Sequence, residues 1–431
     1  MSVLFVFKRG YTLFTVAHLS DLHLGYRDNA SLNRLGVDPI DGELIPVREL
    51  DGYLAWEEAI DGIIADNADA VVIAGDIGHE PNPSNRARLH MQLGLMRLAE
   101  AGIPVHNITG NHDTNDVKGD IAFTALLHRP DAGIYSHANP YQMYKLNDDI
   151  ALHMVSHHMY TENVDVMKQV NPVKGAINVL TTHGSLIDPL LKERIRVNDT
   201  VREVVIPDSF LYADWDAMML GHIHERGFVG DESNGIFYNG SLIRRGFSDA
   251  KGALGRGYTL WHIAPDGSVT REMKTVRQRP QEDLPPIYAE GMDSVTLTEA
   301  ILANLPDLAD GVEYNQDDAP ILRQRVFGAT PSVFATRDQA LIDDATRFAL
   351  SYNLAPRASK EEKPETSKAE DAVEIPQIQA GGLGAVYNSW TEHSETLNSI
   401  TDPEVRQRVT NLAESYLKRG EERVFEKNIS N

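Results

Sequence analysis

Five short apolar runs between Leu13 and Leu220 each end in a cluster of Gly, Asp, Asn or His, and this recurrence constrains the fold more than any other feature. Ala70–Ala74 (AVVIA) is almost continuously apolar and is followed by Gly75-Asp76-Ile77-Gly78-His79. A strand that is apolar on both faces belongs in the middle of a sheet covered on both sides. Leu13–Ala17 precedes Asp21-Leu22-His23, Val105–Ile108 precedes Gly110-Asn111-His112-Asp113, Ile177–Thr181 precedes Thr182-His183-Gly184, and Ala217–Leu220 precedes Gly221-His222-Ile223-His224. Sites in α/β sheets form at the carboxyl ends of strands. The spacing therefore predicts one site assembled from five segments spread over about 200 residues.

Between the strands the pattern turns helical. Leu54–Ala65 carries Ile60, Ile63 and Ile64 on one side, and Ala87–Ala101 is closed by Gly102 with Pro104 just beyond. Gly235–Tyr238 adds a further strand. Alternation of this kind predicts an α/β layered domain. The pattern changes near Arg277–Pro286, where Pro280, Pro285 and Pro286 mark a boundary. Val295–Leu305 and Thr336–Leu350 then read as helices around the strand Ile321–Phe327, a small α+β module. The polar, charged stretch after it has the composition of a linker. Ala385–Leu397 and Pro403–Phe425 follow as helices, the second with the stripe Val405, Val409, Leu412 and Tyr416. The expected division is 1–280 catalytic, 281–356 capping, 357–378 linker and 379–431 helical tail.

The 431-residue chain has no cysteine, so neither a disulfide framework nor a thiolate metal site is available. No apolar run approaches the roughly 20 residues of a membrane span, and the start Val3–Phe7 is broken by Lys8, Arg9 and Gly10. A cytoplasmic protein is expected. The net charge of −23 argues against tight, autonomous binding to nucleic acid, which usually meets a basic surface. Carboxylates gathered at a metal site are offset by the ions they hold.

The strand-end residues suit divalent cations. Carboxylate, imidazole and amide oxygen donors match Mn2+, Fe2+ or Zn2+, and the lack of thiolate disfavours a soft site. Asp-x-His and His-x-His each put two donors on one side of an extended segment. A pair of cations needs a shared ligand, a role that a lone buried aspartate such as Asp76 would suit. Such a pair activates water for attack on phosphorus. Asp-x-His alone is a weak signal, Gly-Asn-His-Asp and Gly-His-x-His are moderate, and the ordered set is strong.

This ordered set resembles the calcineurin-like metallophosphoesterases. His79, the string Tyr238-Asn239-Gly240-Ser241-Leu242, the phrase HLSDLHLG and the later ILRQRV segment resemble the SbcD/Mre nuclease branch in particular. The resemblance implies a layered β-sandwich flanked by helices, with a small α+β capping domain and a C-terminal helical tail. It implies that Asp21, His23, Asp76 and His224 hold one cation and that Asp76, Asn111, His183 and His222 hold the other, with Mn2+ the expected metal and Fe2+, Zn2+ or Mg2+ the alternatives. His112 would contact the scissile phosphate and help the leaving group depart, His79 would orient the phosphate, and Asp113 would hold His112 in place. The implied activity is two-metal DNA exo- or endonuclease action in repair or recombination. The implied partners are DNA, an SbcC-like SMC-type ATPase gripped by the C-terminal helices, and a second copy of the chain.

Gly78 departs from this family's pattern, which has a bulky apolar residue there, and Asp28–Leu50 is unusually long. Both bear on substrate preference. A stand-alone phosphoesterase acting on small diesters or monoesters shares the metal site and accounts better for the acidic charge. A non-catalytic scaffold is disfavoured, because every expected ligand and His112 are present. His18, His153, His157 and His158 match no ligand position and read as structural. Arg244 and Arg245 read as surface charge, with phosphate contact the less favoured alternative.

Overall fold

A computed structural model describes residues 13–28, 31–114, 121–136, 140–160, 169–186, 205–206, 210, 213–229, 235–247, 254–306 and 319–358. The Val3–Phe7 start, nearly all of the expected 357–378 linker and the two C-terminal helices lie outside the described residues. Among the described residues, no helix is long and apolar enough to cross a membrane.

The first strands are β1 (Phe14–Leu19), the short hairpin β2 (Leu35–Val37) and β3 (Leu44–Pro46), β4 (Ala70–Ile73), β5 (Val105–Asn107) and β6 (Ile134–Ser136). Helix α1 (Val47–Ala65) leads into β4 and helix α2 (Asn85–Glu100) into β5. Then come β7 (Tyr141–Lys145), β8 (Ile150–Val155), β9 (Ile177–His183), β10 (Ser185–Leu186), β11 (Val205–Ile206), β12 (Ala217–Gly221), β13 (Gly227–Phe228) and β14 (Ile236–Tyr238). The hairpin β15 (Gly257–Ile263) and β16 (Val269–Thr275) follows.

These strands make two six-stranded sheets, ordered β16-β15-β1-β4-β5-β6 and β13-β14-β12-β9-β8-β7. The pairings β1–β4, β4–β5, β5–β6, β8–β9, β9–β12 and β12–β14 are parallel, and antiparallel strands close every edge except the one at β6. One buried cluster joins Val16, Val72 and Trp261 of the first sheet to Leu152, Val179, Met219 and Phe237 of the second, so the sheets pack face to face. The outer face of the first sheet is covered by α1 and α2 through Trp56, Ile60, Ile63, Met91 and Leu95. The outer face of the second packs Val155, Leu180, Met218 and Leu220 against Met159 and Phe210. The result is the layered sandwich flanked by helices that the resemblance implied.

Helix α2 starts where Ser84 accepts the Ala87 amide at 3.1 Å, a conventional N-cap. Helix α1 starts at Val47, seven residues before the expected Leu54. Its first turn buries Arg48, Glu49 and Asp51 alongside Val47 and Leu50, so it lacks the polar-and-apolar alternation by which a helix is read. Those charges are paired. Arg48 Nη1 lies 2.5 Å from Asp51 Oδ2, and Arg279 donates to both Asp51 oxygens at 2.7 and 2.8 Å.

A third sheet comprises β17 (Gln281–Asp283), β18 (Ile287–Tyr288), β19 (Ile321–Phe327) and β20 (Ser351–Arg357). β17 and β18 pair with one side of β19 and β20 with the other, all parallel. The helix expected over Thr336–Leu350 is shorter, Gln339–Ala345, because Asp338 caps it by accepting the Leu341 amide at 3.0 Å and the chain turns away after Ala345 to enter β20. The linker's expected first residue, Arg357, is the last residue of that strand.

His18 is fully buried on β1, its ring centroid 6.1 Å from that of Trp261. Burial, and next the positive Arg226, push its imidazole down to about 3. The unfolded chain takes up a proton near pH 6.5, whereas the folded chain resists it down to about 3. Stability is therefore lost as pH falls through that window. His18→Leu is expected to shallow the decline, as read from denaturation midpoints measured across it. An unchanged slope would contradict this placement.

Candidate metal centre

The two sheets meet at the carboxyl ends of β1, β4, β5, β9 and β12, and the five motifs converge there. Backbone pairing draws the first two together: the amides of Asp21, His23 and Leu24 donate to the carbonyls of Gly75, Asp76 and Ile77 at 3.0–3.1 Å. Across the sheet junction, the His222 amide donates to the Asp21 carboxylate at 3.0 Å. Close approach requires glycine. A Cβ on Gly110 would collide with Asp76 Oδ1, and one on Gly75, whose φ is +86°, would fall 2.6 Å from His183 Nδ1.

Among the described residues, five non-glycine positions have positive φ, and four of them are Asp21, His23, Asp76 and His222. Such backbone strain persists only where surroundings over-determine it, and it gathers at functional sites.

Asp21, His23, Asp76 and His183 form a buried floor, with Asn111, His112, His222, His224, His79 and Arg245 half-buried around it. His224 Nε2 is 3.1 Å from His23 Nε2 and 3.7 Å from Asp21 Oδ1, and His23 Nε2 is 3.7 Å from Asp76 Oδ2. On the other side, Asn111 Oδ1 is 3.0 Å from His183 Nε2 and 3.1 Å from His222 Nδ1, while Asp76 Oδ2 is 3.4 Å from His183 Nε2. Asp76 thus borders both groups. All seven expected ligands come together.

The donor chemistry fits cations. His183 Nδ1 faces the Ala74 carbonyl at 2.8 Å, and a carbonyl only accepts, so Nδ1 carries the hydrogen. The Nε2 lone pair then points at two oxygens that are also acceptors. A cation, or failing that a proton, resolves this opposition. Burial opposes a proton on His183, but the Asp76 carboxylate outweighs it and pushes the imidazole up to about 9. Conversely, burial and the neighbouring Arg245 hold His23 well below its usual value, and burial with His183 pushes His222 down to about 4. A neutral imidazole is the form that ligates metal.

His112 Nδ1 donates to the His79 carbonyl at 2.7 Å, and its backbone amide donates to Asp76 Oδ1 at 2.8 Å. Its ring lies 4.7 Å from His23 and 5.5 Å from His79, centroid to centroid. Ring nitrogens of His23, His79 and His112 also come close enough to share an ion. The expected support of His112 by Asp113 is not made. Asp113 is fully buried and accepts the amides of Asp76, Gly78 and Gly110 at 2.9–3.0 Å, so it shapes the loop that carries Asp76. Burial, and next the Asp76 charge, push its carboxyl up to about 7. Neighbours in a tight turn diverge, which adjacency in the chain conceals.

At Gly78 the missing side chain is replaced in space by Phe123, whose ring lies 2.8 Å from where a Cβ would stand. His153 is engaged by Tyr141 and Asn178 at 3.0 and 3.2 Å, and like His18 it serves the packing. Arg245, read from the sequence as surface charge, is instead at the centre: Nη2 is 2.9 Å from both His224 ring nitrogens. Nothing in the sequence marks Tyr26 as part of the site, yet its ring lies 5.0 Å from that of His79.

A family model described as calcineurin-like phosphoesterase matches residues 14–243, more than half of the chain. The DNA double-strand break repair protein Mre11 of Haloferax volcanii is 28% identical over 265 residues, covering 62% of this chain and 53% of that protein. The Mre11 of Methanococcus maripaludis is 26% identical over 267 residues, covering 60% of this chain and 65% of that protein. The uncharacterized metallophosphoesterase YhaO of Bacillus subtilis is 23% identical over 272 residues, covering 61% of this chain and 60% of that protein. The chain thus spans about half to two thirds of the length of these relatives. The family's fold implies a dimetal centre, and clustered Asp and His side chains stand ready for it at the junction of the sheets. On its matched span and on this arrangement of strand-end ligands, the chain belongs to the calcineurin-like phosphoesterase family.

Proposed function

We propose that the chain is a metal-dependent phosphodiesterase that cleaves DNA. The observation that carries the reading is the convergence of Asp21, His23, Asp76, Asn111, His183, His222 and His224 into two donor groups bordered by one aspartate. Asp21, His23, Asp76 and His224 would hold one cation, and Asp76, Asn111, His183 and His222 the other. Their nitrogen and oxygen donors suit Mn2+. When bound, such a pair supplies a water-derived nucleophile at neutral pH and neutralises charge on the phosphoryl group.

The side chains do the rest. His112, its Nδ1 hydrogen committed to the His79 carbonyl, keeps Nε2 for chemistry. When Nε2 is protonated, that Nε2 proton passes to the leaving oxygen as the ester bond breaks, and the ring is left neutral with its Nδ1 hydrogen in place. His79, beside it, orients the phosphate. Asp113 keeps Asp76 in register through three backbone amides.

DNA as the substrate is supported by the printed names of the Mre11 relatives, proteins of DNA double-strand break repair. An SMC-type ATPase partner, a homodimer and cytoplasmic residence belong to the same reading. The capping role of residues 281–356 belongs to it as well. The net charge of −23 favours a second reading, a phosphoesterase of small diesters or monoesters. Linear duplex, hairpin and single-stranded DNA, assayed with Mn2+ beside bis(4-nitrophenyl) phosphate, separate the two. Cleavage of DNA is expected; turnover of the small diester alone would leave only the second reading.

A further inference from the structure

The Arg245 guanidinium lies against the donor groups, with Nη2 2.9 Å from both ring nitrogens of His224 and Nη1 3.5 Å from His79 Nδ1. Its position is imposed from elsewhere in the chain. The Arg244 amide donates to Gln278 Oε1 at 3.0 Å, and Gln281 Nε2 donates to the Arg244 carbonyl at 3.0 Å. Arg48 donates to the same carbonyl. The Tyr26 hydroxyl donates to the Arg245 carbonyl at 2.8 Å. Two residues on, the Phe247 ring sits 4.2 Å from the Arg323 guanidinium and packs on Val47, Ala319, Ile321 and Leu350. Gln281 and Arg323 belong to β17 and β19, so the third sheet grips the loop on both sides of Arg245.

A fixed guanidinium beside imidazoles that would hold cations sets positive charge against positive charge. That arrangement is favourable when an anion lies between them. A phosphate has two non-bridging oxygens and satisfies both sides, and guanidinium geometry suits it.

We propose that Arg245 contacts substrate, taking a non-bridging oxygen of the scissile phosphate, and that Gln281 and Phe247 are positioning residues through which the third sheet sets that contact. This rests on the phosphodiesterase reading above and names how its site recognises the phosphate. The third sheet thereby bears on the chemistry without touching the reacting atoms.

The test uses the full chain reconstituted with Mn2+, with three readouts: metal content, calorimetric binding of inorganic phosphate, and kcat and KM for bis(4-nitrophenyl) phosphate. Arg245→Ala is expected to keep its metal, to bind phosphate about ten- to hundredfold more weakly, and to lose roughly 10²-fold in kcat/KM. Arg245→Lys is expected to recover only part of the loss, because an ammonium is a point charge without the planar fork. Gln281→Ala and Phe247→Ala are expected to raise KM more than they lower kcat. Unchanged phosphate affinity in Arg245→Ala would overturn the contact, as would a parent protein that binds no phosphate, or loss of metal in both Arg245 variants. Parental kinetics in both the Gln281 and Phe247 variants would overturn the positioning. A parent that binds phosphate through Arg245 but turns over no diester would leave this assignment standing and sink the functional reading instead.

Discussion

Replacing His112 with alanine is expected to lower kcat for phosphodiester cleavage by about 10²–10⁴-fold, with metal content unchanged from the parent. The imidazole is held at its Nδ1 by the His79 carbonyl at 2.7 Å, leaving one nitrogen for chemistry. Its backbone amide holds Asp76 Oδ1 at 2.8 Å, and that contact survives the substitution. The ring is half-buried where the four floor residues are closed off, as a group that must reach substrate requires. Its effect should fall on kcat rather than KM, because proton donation to a leaving oxygen acts in the transition state and not in the bound ground state. Elemental analysis beside steady-state kinetics decides the point. A variant short of metal would show His112 to be a ligand, in line with its proximity to His23 and His79, and near-parental kcat would remove it from the mechanism altogether.

Asp51→Ala is expected to cost about 3–5 kcal/mol of stability, the range for breaking a buried ion pair by removing one partner. Asp51 lies between two buried guanidinium groups, Arg48 at 2.5 Å and Arg279 at 2.7 and 2.8 Å. Without the carboxylate both positive charges remain in the interior and face each other. The expected readout is a lower denaturant midpoint with an unchanged slope. Adding Arg279→Met, which removes one of the two buried positive charges and keeps much of the volume, should recover part of the loss. An unfolding free energy within about 0.5 kcal/mol of the parent's, the usual range for surface changes, would show the pair to be hydrated rather than interior.

The strands were legible where burial on both faces leaves an unbroken apolar run: Ala70–Ile73 and Ile321–Phe327 were read with bounds nearly or wholly as they stand. The start of α1 was not, because Arg48, Glu49 and Asp51 look like surface residues until Arg279, more than 200 residues on, is folded against them. β20 is not legible in the sequence for a related reason. Its burial alternates weakly, and its strand character comes from pairing with β19 rather than from its own residues. Adjacency in the chain pairs Asp113 with His112, whereas a buried carboxylate goes to whichever donors the fold leaves unpaired, here three loop amides.

From the residues alone came the donor types, their order, and their place at strand ends, since hydrophobic periodicity and side-chain chemistry are local properties. Which seven of these side chains would hold metal is implied by the family resemblance and not by periodicity or spacing. Tertiary structure alone decided which of them face one another, that Phe123 occupies the space beside Gly78, and that Arg245 leaves the surface to lie on His224. Those outcomes hang on contacts between segments far apart in the chain, and the free energy of such contacts exists only once the sheets have packed.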